Sequence, residues 1–176
     1  MILAGDIGGT KVNLALFDSA TRITEKRYES RDFSGIEKIL DDFLKDNDST
    51  IEKVCFGVAG RIINGKCRLT NLSWQVEVER LKKQLGIDSV WLINDLVATA
   101  CAIPFLSPED IEIIQTGASV SEGRISVVSA GTGLGQAFLI PERKGKFIVM
   151  DSEGGHCDFS PRNRLEAELL FFLQKK

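Results

Sequence analysis

The chain has 176 residues, of which 22 are basic and 25 acidic, so its formal net charge is −3 at neutral pH. Its length allows one domain or two small ones, and 43% hydrophobic with 27% charged residues is typical of a folded soluble protein. The mildly acidic balance argues against a nucleic-acid-binding face. No apolar stretch is long enough to cross a bilayer, and the N-terminus lacks the basic region of a signal peptide.

The four cysteines and the single histidine limit the chemistry further. Cys55, Cys67, Cys101 and Cys157 form no closely spaced pair, which excludes a zinc knuckle or a redox dithiol motif by spacing. Reduced thiols are typical of cytoplasmic proteins, so we expect a cytoplasmic location, no membrane contact and no structural metal.

The first part of the chain alternates predicted strands and helices. Apolar runs and turn signals predict strands over residues 2–6, 11–17, 22–29, 54–58 and 90–93, and a short hairpin at 61–69 around Asn64-Gly65. Helical periodicity predicts helices over residues 36–44, 75–85 and 96–103, the first with Ser34 as its N-cap.

A Ser-Pro-Glu-Asp segment at 107–110 is a candidate boundary, which divides the chain into a lobe over 1–107 and the beginning of a second lobe over 108–176. Strands at 125–129 and 136–140 follow, then a loop at 151–158 and a last helix from about Asn163. Because that helix is apolar almost all round, we expect it to be buried on several sides. It also stops without a glycine cap, so we expect the chain to be a fragment.

Polar and glycine residues follow several predicted strands directly. Asp6 and the pair Asn94-Asp95 each end an apolar run, and ligands in α/β proteins bind at such carboxyl ends. The loops at 6–11 and 131–135 are rich in glycine, whose exposed backbone N–H groups can approach a phosphate. Each loop alone is also compatible with an ordinary turn. Together they suggest a nucleotide whose phosphates lie between two lobes.

Two further groups of side chains suggest a reaction on a sugar. We expect Asp95 at the rim of its strand, on the same face as Ile93. Its carboxylate could accept the proton of a substrate hydroxyl. The alternative role for Asp95 is to cap the N-terminus of the next helix. Glu153 and His156 could hold neighbouring hydroxyls, although a solvated loop is the alternative.

Five motifs in order resemble those of the bacterial-type glucokinases, a family of the sugar kinase, Hsp70 and actin superfamily. They are Asp6-Ile7-Gly8-Gly9-Thr10-Lys11, Leu69-Thr70-Asn71-Leu72, Asn94-Asp95, Gly131-Thr132-Gly133-Leu134-Gly135 and Ser152-Glu153-Gly154-Gly155-His156. The resemblance runs along the whole chain and covers about the front half of a family chain. It implies an α/β ribonuclease H-like (actin-like ATPase) fold with a complete small lobe and the start of the second.

The resemblance also implies an activity and roles for residues. The activity is transfer of the ATP γ-phosphoryl group to the 6-hydroxyl of glucose, with Mg²⁺ nearby and a homodimer in the full-length form. Asp95 would be the general base, and the glucose ligands would be Asn94, Glu153, His156, Thr70 and Asn71. The ATP ligands would be Asp6, Gly8, Gly9, Thr10, Lys11, Gly131, Thr132 and Gly133.

The sequence departs from the family pattern at several points, and two other functions are alternatives to the kinase interpretation. Arg61 and Ser73 stand where the family usually has proline, and the single Cys157 places the chain outside the related zinc-containing kinases and repressors. Family segments that complete the glucose and adenosine sites lie beyond Lys176, so we expect weak glucose binding by the fragment and leave its turnover open. A non-catalytic sugar-sensing module and an ATPase acting on a protein are the alternatives, and the hexose preference and allosteric control stay open.

Overall fold

The computed structural model describes residues 1–47, 49–69, 72–118, 120, 123–131 and 133–175. Its strands are β1 (Ile2–Ile7), β2 (Lys11–Asp18), β3 (Thr21–Glu29), β4 (Lys53–Val58), β5 (Ile62–Ile63), β6 (Lys66–Arg68), β7 (Gln75–Glu77), β8 (Val90–Asn94), β9 (Ile125–Ala130), β10 (Leu134–Pro141) and β11 (Phe147–Ser152). The helices are α1 (Ile36–Lys45), α2 (Val78–Leu85), α3 (Asp95–Ala102) and α4 (Arg164–Leu173).

The main sheet has the strand order β3-β2-β1-β4-β8. The first three strands form an antiparallel meander, whereas β4 and β8 add in parallel to β1. The core lies between this sheet and helices α1 and α2, and its largest fully buried members include Leu3, Ile7, Phe56, Phe43 and Leu81. This arrangement confirms the predicted meander and the strands over 54–58 and 90–93.

A second sheet, β11-β10-β9, is antiparallel and packs on α3. Ala137 and Leu139 of β10 and Ala100 of α3 are fully buried together, with Leu96 packed against them. Helix α3 also contacts β4 and β8 of the main sheet. The helix that follows Asn94 therefore joins the two sheets and places its first turn between them.

Three local predictions were wrong. The helix predicted over 75–85 begins only at Val78, because residues 75–77 pair with β6 as a strand. The N-cap of α1 is Gly35 rather than Ser34, and its cap makes no side-chain hydrogen bond. Strand β11 was not predicted, and it takes in Asp151 and Ser152, which we had assigned to a loop.

The surroundings of α4 also differ from the expectation. None of its residues is buried, and Leu165, Phe171 and Phe172 are each more than half exposed. The prediction of a helix buried on several sides was therefore wrong for this chain by itself. The predicted start of the helix is confirmed, because the Asn163 side chain accepts a hydrogen bond from the Glu166 amide and caps the helix. In the part of the chain that the structure describes, no helix is long and apolar enough to cross a membrane.

Candidate functional site

The carboxyl ends of three parallel strands meet at one edge of the main sheet. Ile7 of β1 is aligned with Val58 of β4, which is aligned with Asn94 of β8. The residues around these ends face the second sheet across a cleft of about 890 Å³. The cleft is therefore the place where the polar residues that end the strands come together, as their positions in the sequence predict.

Most of the predicted site residues line this cleft. They are Asp6, Gly9, Thr10, Asn94, Asp95, Gly131, Gly133, Glu153 and His156. Gly8 and Lys11 are not among its described lining residues; they close the turn between β1 and β2, where the Gly8 amide donates to the Lys11 carbonyl oxygen at 2.9 Å. Thr70, Asn71 and Thr132 lie outside the described residues.

Asp6 is the polar side chain that β1 contributes to the cleft, and it stands close to a second carboxylate. Its side chain keeps contact with solvent at the open mouth, but the cleft walls surround it in part. This partial burial raises the pKa of Asp6, the negative charge of Asp95 raises it further, and a hydrogen bond with Asn13 acts in the opposite direction. A cation between Asp6 and Asp95 would relieve this repulsion.

Asn94 and Asp95 lie at the junction of β8 and α3. The Asn94 Oδ1 accepts the amides of Leu96 at 2.9 Å and Val97 at 3.2 Å, so Asn94 is the N-cap of α3. The Asp95 Oδ1 also accepts the Leu96 amide at 2.9 Å. The strand ends at Asn94, so the expectation that Asp95 extends the strand face of Ile93 was wrong; Asp95 is the first residue of the helix.

These bonds hold both side chains in one orientation. Because the cap occupies Asn94 Oδ1, the Nδ2 donor of the same amide is directed away from the helix end. The N-cap offered as the alternative role of Asp95 is supplied by Asn94 instead. This cap is compatible with a ligand-binding role for Asn94 because it uses only one end of the amide.

Glu153 and His156 lie on a short 3₁₀ turn after β11. The His156 Nδ1 is 3.2 Å from the Glu153 Oε2, and the two side chains are 79% and 76% exposed. The Ser152 hydroxyl accepts the Gly154 amide at 3.0 Å, and the Glu153 carbonyl oxygen accepts the His156 amide at 3.0 Å. The backbone of the turn is therefore held in place, while both side chains remain accessible to a ligand in the cleft.

Glycine allows the close contacts that shape the cleft. A Cβ on Gly57 would lie 3.2 Å from the Ala98 Cβ, which shows that α3 lies very near β4. A Cβ on Gly155 would lie only 1.7 Å from the Leu134 carbonyl oxygen, so the turn with His156 packs directly against β10. Neither Gly57 nor Gly155 has a positive φ, so the reason for glycine is space. The 1.7 Å contact excludes a Cβ at Gly155, whereas at Gly57 the neighbouring helix would have to move by a few tenths of an ångström.

Sequence reasoning missed several residues that line the cleft, among them Ser129, Gln136 and Asp151. Asp151 was missed because β11 was missed. The sequence signal for β11 was the apolar run from Phe147 to Met150, which follows a turn at Gly145 with φ of 69°. An acidic residue, Asp151, follows this run, just as Asp6 lies near the end of β1.

Comparison with known proteins identifies the family. A sequence model of the glucokinase family matches residues 3–176. The chain belongs to the glucokinase family. It is 42% identical to the glucokinase of Nostoc punctiforme over 182 aligned positions, which cover 100% of this chain and 53% of that protein. The chain therefore spans about half the length of the glucokinases it matches.

Solved glucokinase structures agree with this fold. The crystal structure of a glucokinase from an Antarctic psychrotroph superposes with a TM-score of 0.82 at 32% identity, covering 99% of this chain and 56% of that one. A glucokinase from Balamuthia mandrillaris, solved in complex with glucose, superposes with a TM-score of 0.74 at 24% identity, covering 98% of this chain and 54% of that one. The α/β fold is thus the actin-like ATPase fold of sugar kinases, as the motifs predict.

Proposed function

We propose that the protein to which this chain belongs is a glucokinase, which transfers the γ-phosphoryl group of ATP to the 6-hydroxyl of glucose. One observation carries the proposal: Asp95, Asn94, Glu153 and His156 line the same cleft as the two glycine loops. Family membership supports the reaction, and the cleft supports the assignment of roles within it.

Asp95 is proposed as the general base. The Leu96 amide bonds to Oδ1, which orients the carboxylate and leaves Oδ2 for the proton of the sugar 6-hydroxyl. Removing the hydroxyl proton makes the oxygen a better nucleophile for in-line attack on the γ-phosphorus.

Asn94, Glu153 and His156 are proposed to hold the sugar. The Asn94 Nδ2 donates to one sugar oxygen, the Glu153 carboxylate accepts from a hydroxyl, and the His156 ring donates to or accepts from its neighbour. Thr70 and Asn71 are proposed as further sugar ligands on the family resemblance alone. A polar set of fixed orientation would align the 6-hydroxyl with Asp95, and alignment is the main contribution of a protein to phosphoryl transfer.

The turns at 6–11 and 131–133 are proposed to cradle the ATP phosphates. Gly9 and Gly133 line the cleft without side chains that would block their backbone N–H groups, and the hydroxyl of Thr10 adds a donor. Lys11 and Thr132 are proposed as further ATP ligands on the family resemblance. Asp6 fits Mg²⁺ bound with phosphates, since such Mg²⁺ is held by one or two carboxylates, and the negative charge of the nearby Asp95 favours a cation there. When bound, Mg²⁺ neutralises charge on the phosphate oxygens.

The division into lobes over 1–107 and 108–176 belongs to the same proposal. The cleft lies where the two sheets face each other, so closure of the lobes would exclude water from the reacting groups. For the whole protein we further propose a cytoplasmic homodimer.

The first test uses the single histidine of the chain. Because His156 is the only histidine, its imidazole proton resonance reports on one site without assignment of the spectrum. Titration of the 176-residue chain with glucose should shift this resonance, and titration with a pentose control should shift it less. Because the fragment is expected to bind glucose weakly, the titration extends to about 1 M glucose. A His156 resonance that shifts no more with glucose than with the pentose over this whole range would contradict the sugar site.

The second test addresses the chemistry. ADP release with a panel of hexoses is measured on the complete product of the reading frame that encodes these residues, beside Asp95→Asn. We expect release with glucose and a loss of about 10²- to 10⁴-fold in the variant, with glucose binding retained. Release that is independent of sugar would favour an ATPase, and binding without release would favour a sensing module.

A further inference from the structure

A second cleft of about 360 Å³ lies beside the first, on the face of the main sheet where α3 packs. The two clefts share Gly5, Asp6, Gly57 and Ala98. The second one is mainly apolar, and two of its lining residues are cysteines, Cys55 of β4 and Cys101 of α3.

The packing of α3 on β4 brings these two thiols together. The contact between Gly57 and Ala98 fixes how the helix lies on the strand. Cys55 precedes Gly57 by two residues and so lies on the same face of β4, about 6.6 Å along the strand. Cys101 follows Ala98 by three residues and so lies about one turn, or about 4.5 Å, further along the same side of α3.

The small side chains at the contact also bring the two backbones close. A Cβ on Gly57 would lie 3.6 Å from the Asp95 Cα, so the helix backbone almost touches the strand. Disulfides require Cα atoms within about 7 Å. The near contact of α3 with β4 at Gly57, two residues from Cys55, brings the two backbones close together in this part of the packing.

The two thiols differ in access. Cys101 is exposed, whereas Cys55 is half-buried between the sheet and the helix, and both are reduced. Burial raises the pKa of the Cys55 thiol, and the nearby Cys101 raises it further. Cys101 is therefore the thiol that an oxidant in solution reaches first, and Cys55 is the shielded partner, whose attack speeds up as rising pH increases its thiolate fraction.

We propose that Cys55 and Cys101 are a site of reversible disulfide formation that fastens α3 to β4. The oxidant is a small-molecule disulfide. The Cys101 thiolate attacks one of its sulfur atoms and expels the other as a thiolate, forming a mixed disulfide on Cys101. Cys55 then loses its proton and attacks the Cys101 sulfur, which expels the second small thiolate. Two protein thiols are oxidised, and one small disulfide is reduced to two thiols.

The bond would act on the helix that carries Asp95. Helix α3 has only eight residues, and Asn94 holds its first turn by the cap. A covalent link at Cys101 would attach the other end of the helix to β4, while its first turn stays fixed at the end of β8. Oxidation would therefore restrict movement of α3 relative to the main sheet whatever reaction the first cleft performs.

Oxidised glutathione tests the proposal on the 176-residue chain. After incubation, quenching with a thiol-alkylating reagent and intact mass measurement, we expect alkylatable thiols to fall from four to two per chain. The mass before alkylation should fall by about 2 Da for the two hydrogens lost. Peptide mapping should place the link between Cys55 and Cys101, and dithiothreitol should restore all four thiols. Amides of α3 should exchange with deuterium more slowly in the oxidised chain.

Two serine variants make a matched pair of controls. Cys101→Ser should abolish the 2 Da loss, whereas Cys157→Ser, which removes the other exposed cysteine, should leave it unchanged. Glutathione adducts without an internal link, or a link through Cys67 or Cys157, would overturn the proposal. The mapping of the unmodified chain decides the question even if a variant folds poorly.

Discussion

Replacing Gly155 by alanine should push the turn that carries His156 away from β10. An added Cβ would lie 1.7 Å from the Leu134 carbonyl oxygen, and non-bonded carbon and oxygen atoms rarely approach closer than about 3.3 Å. The turn must therefore move by about 1.6 Å. Because the obstacle is backbone of a paired strand, it cannot move aside as a side chain would.

Two results are expected from this displacement. Strain should destabilise the chain by about 1–3 kcal/mol, as overpacking does elsewhere. Glucose affinity should fall by about 10-fold, because the shift weakens the hydrogen bonds of Glu153 and His156 to the sugar, each worth about 0.5–1.5 kcal/mol. Thermal unfolding measures the first, and glucose titration followed at the His156 resonance measures the second.

Two other glycines supply graded controls. Gly154→Ala places its Cβ 2.6 Å from the end of the Gln136 side chain, which can rotate away, so its effect should be smaller. Gly117→Ala meets nothing within 4 Å and should behave as the unmodified chain does. If Gly155→Ala binds glucose as well as Gly117→Ala, the turn does not position a sugar ligand and the reasoning fails.

Three further substitutions test the charge, the cap and the core. The raised pKa of Asp6 means that its ionisation opposes folding as pH rises. Asp6→Asn should therefore raise the melting temperature at neutral pH and lose this gain at a pH well below the ordinary aspartate pKa. A gain of the same size at neutral and at low pH would contradict the repulsion from Asp95. Asn94→Ala should cost about 1 kcal/mol in denaturant unfolding by removing the cap of α3, and Asn94→Ser should restore most of it. Phe43→Ala should cost about 3–5 kcal/mol because Phe43 is 2% exposed, whereas Phe105→Ala, at 88% exposure, should change stability by less than about 0.5 kcal/mol; similar costs would refute the core assignment.

Local patterns predicted the parts of the fold that depend on neighbours in the chain. The alternation in β2 and the helical stripe of α1 are visible in the residues themselves, and both elements exist as predicted. Residues 75–77 were assigned to a helix because pairing with β6 is a contact that periodicity does not record. Glu77 illustrates this, since its carboxylate lies 3.0 Å from the Lys66 Nζ across that pair.

In the candidate site, too, local sequence patterns predicted some features and tertiary contacts determined the others. Asp6 and Asn94 were predicted at strand ends, and the register of β1, β4 and β8 brings those ends together. That Asn94 rather than Asp95 caps α3 depends on backbone angles at a single junction, which residue types leave undecided. The close approach of Gly155 to Leu134 depends on how β11 returns along β10, and no local signal carries that information.

The strand order of the main sheet has a consequence for how the chain folds. Residues of β1 pair with β2 across a short turn, whereas Ile2 pairs with Lys53, 51 residues away, and Val54 pairs with Val90, 36 residues away. Closing long loops costs entropy before the contacts form, so the meander β1–β3 should form first. Strand β1 then presents a free edge on which β4 and β8 add in the order of synthesis. The cleft, which needs all three carboxyl ends, is among the last features to assemble.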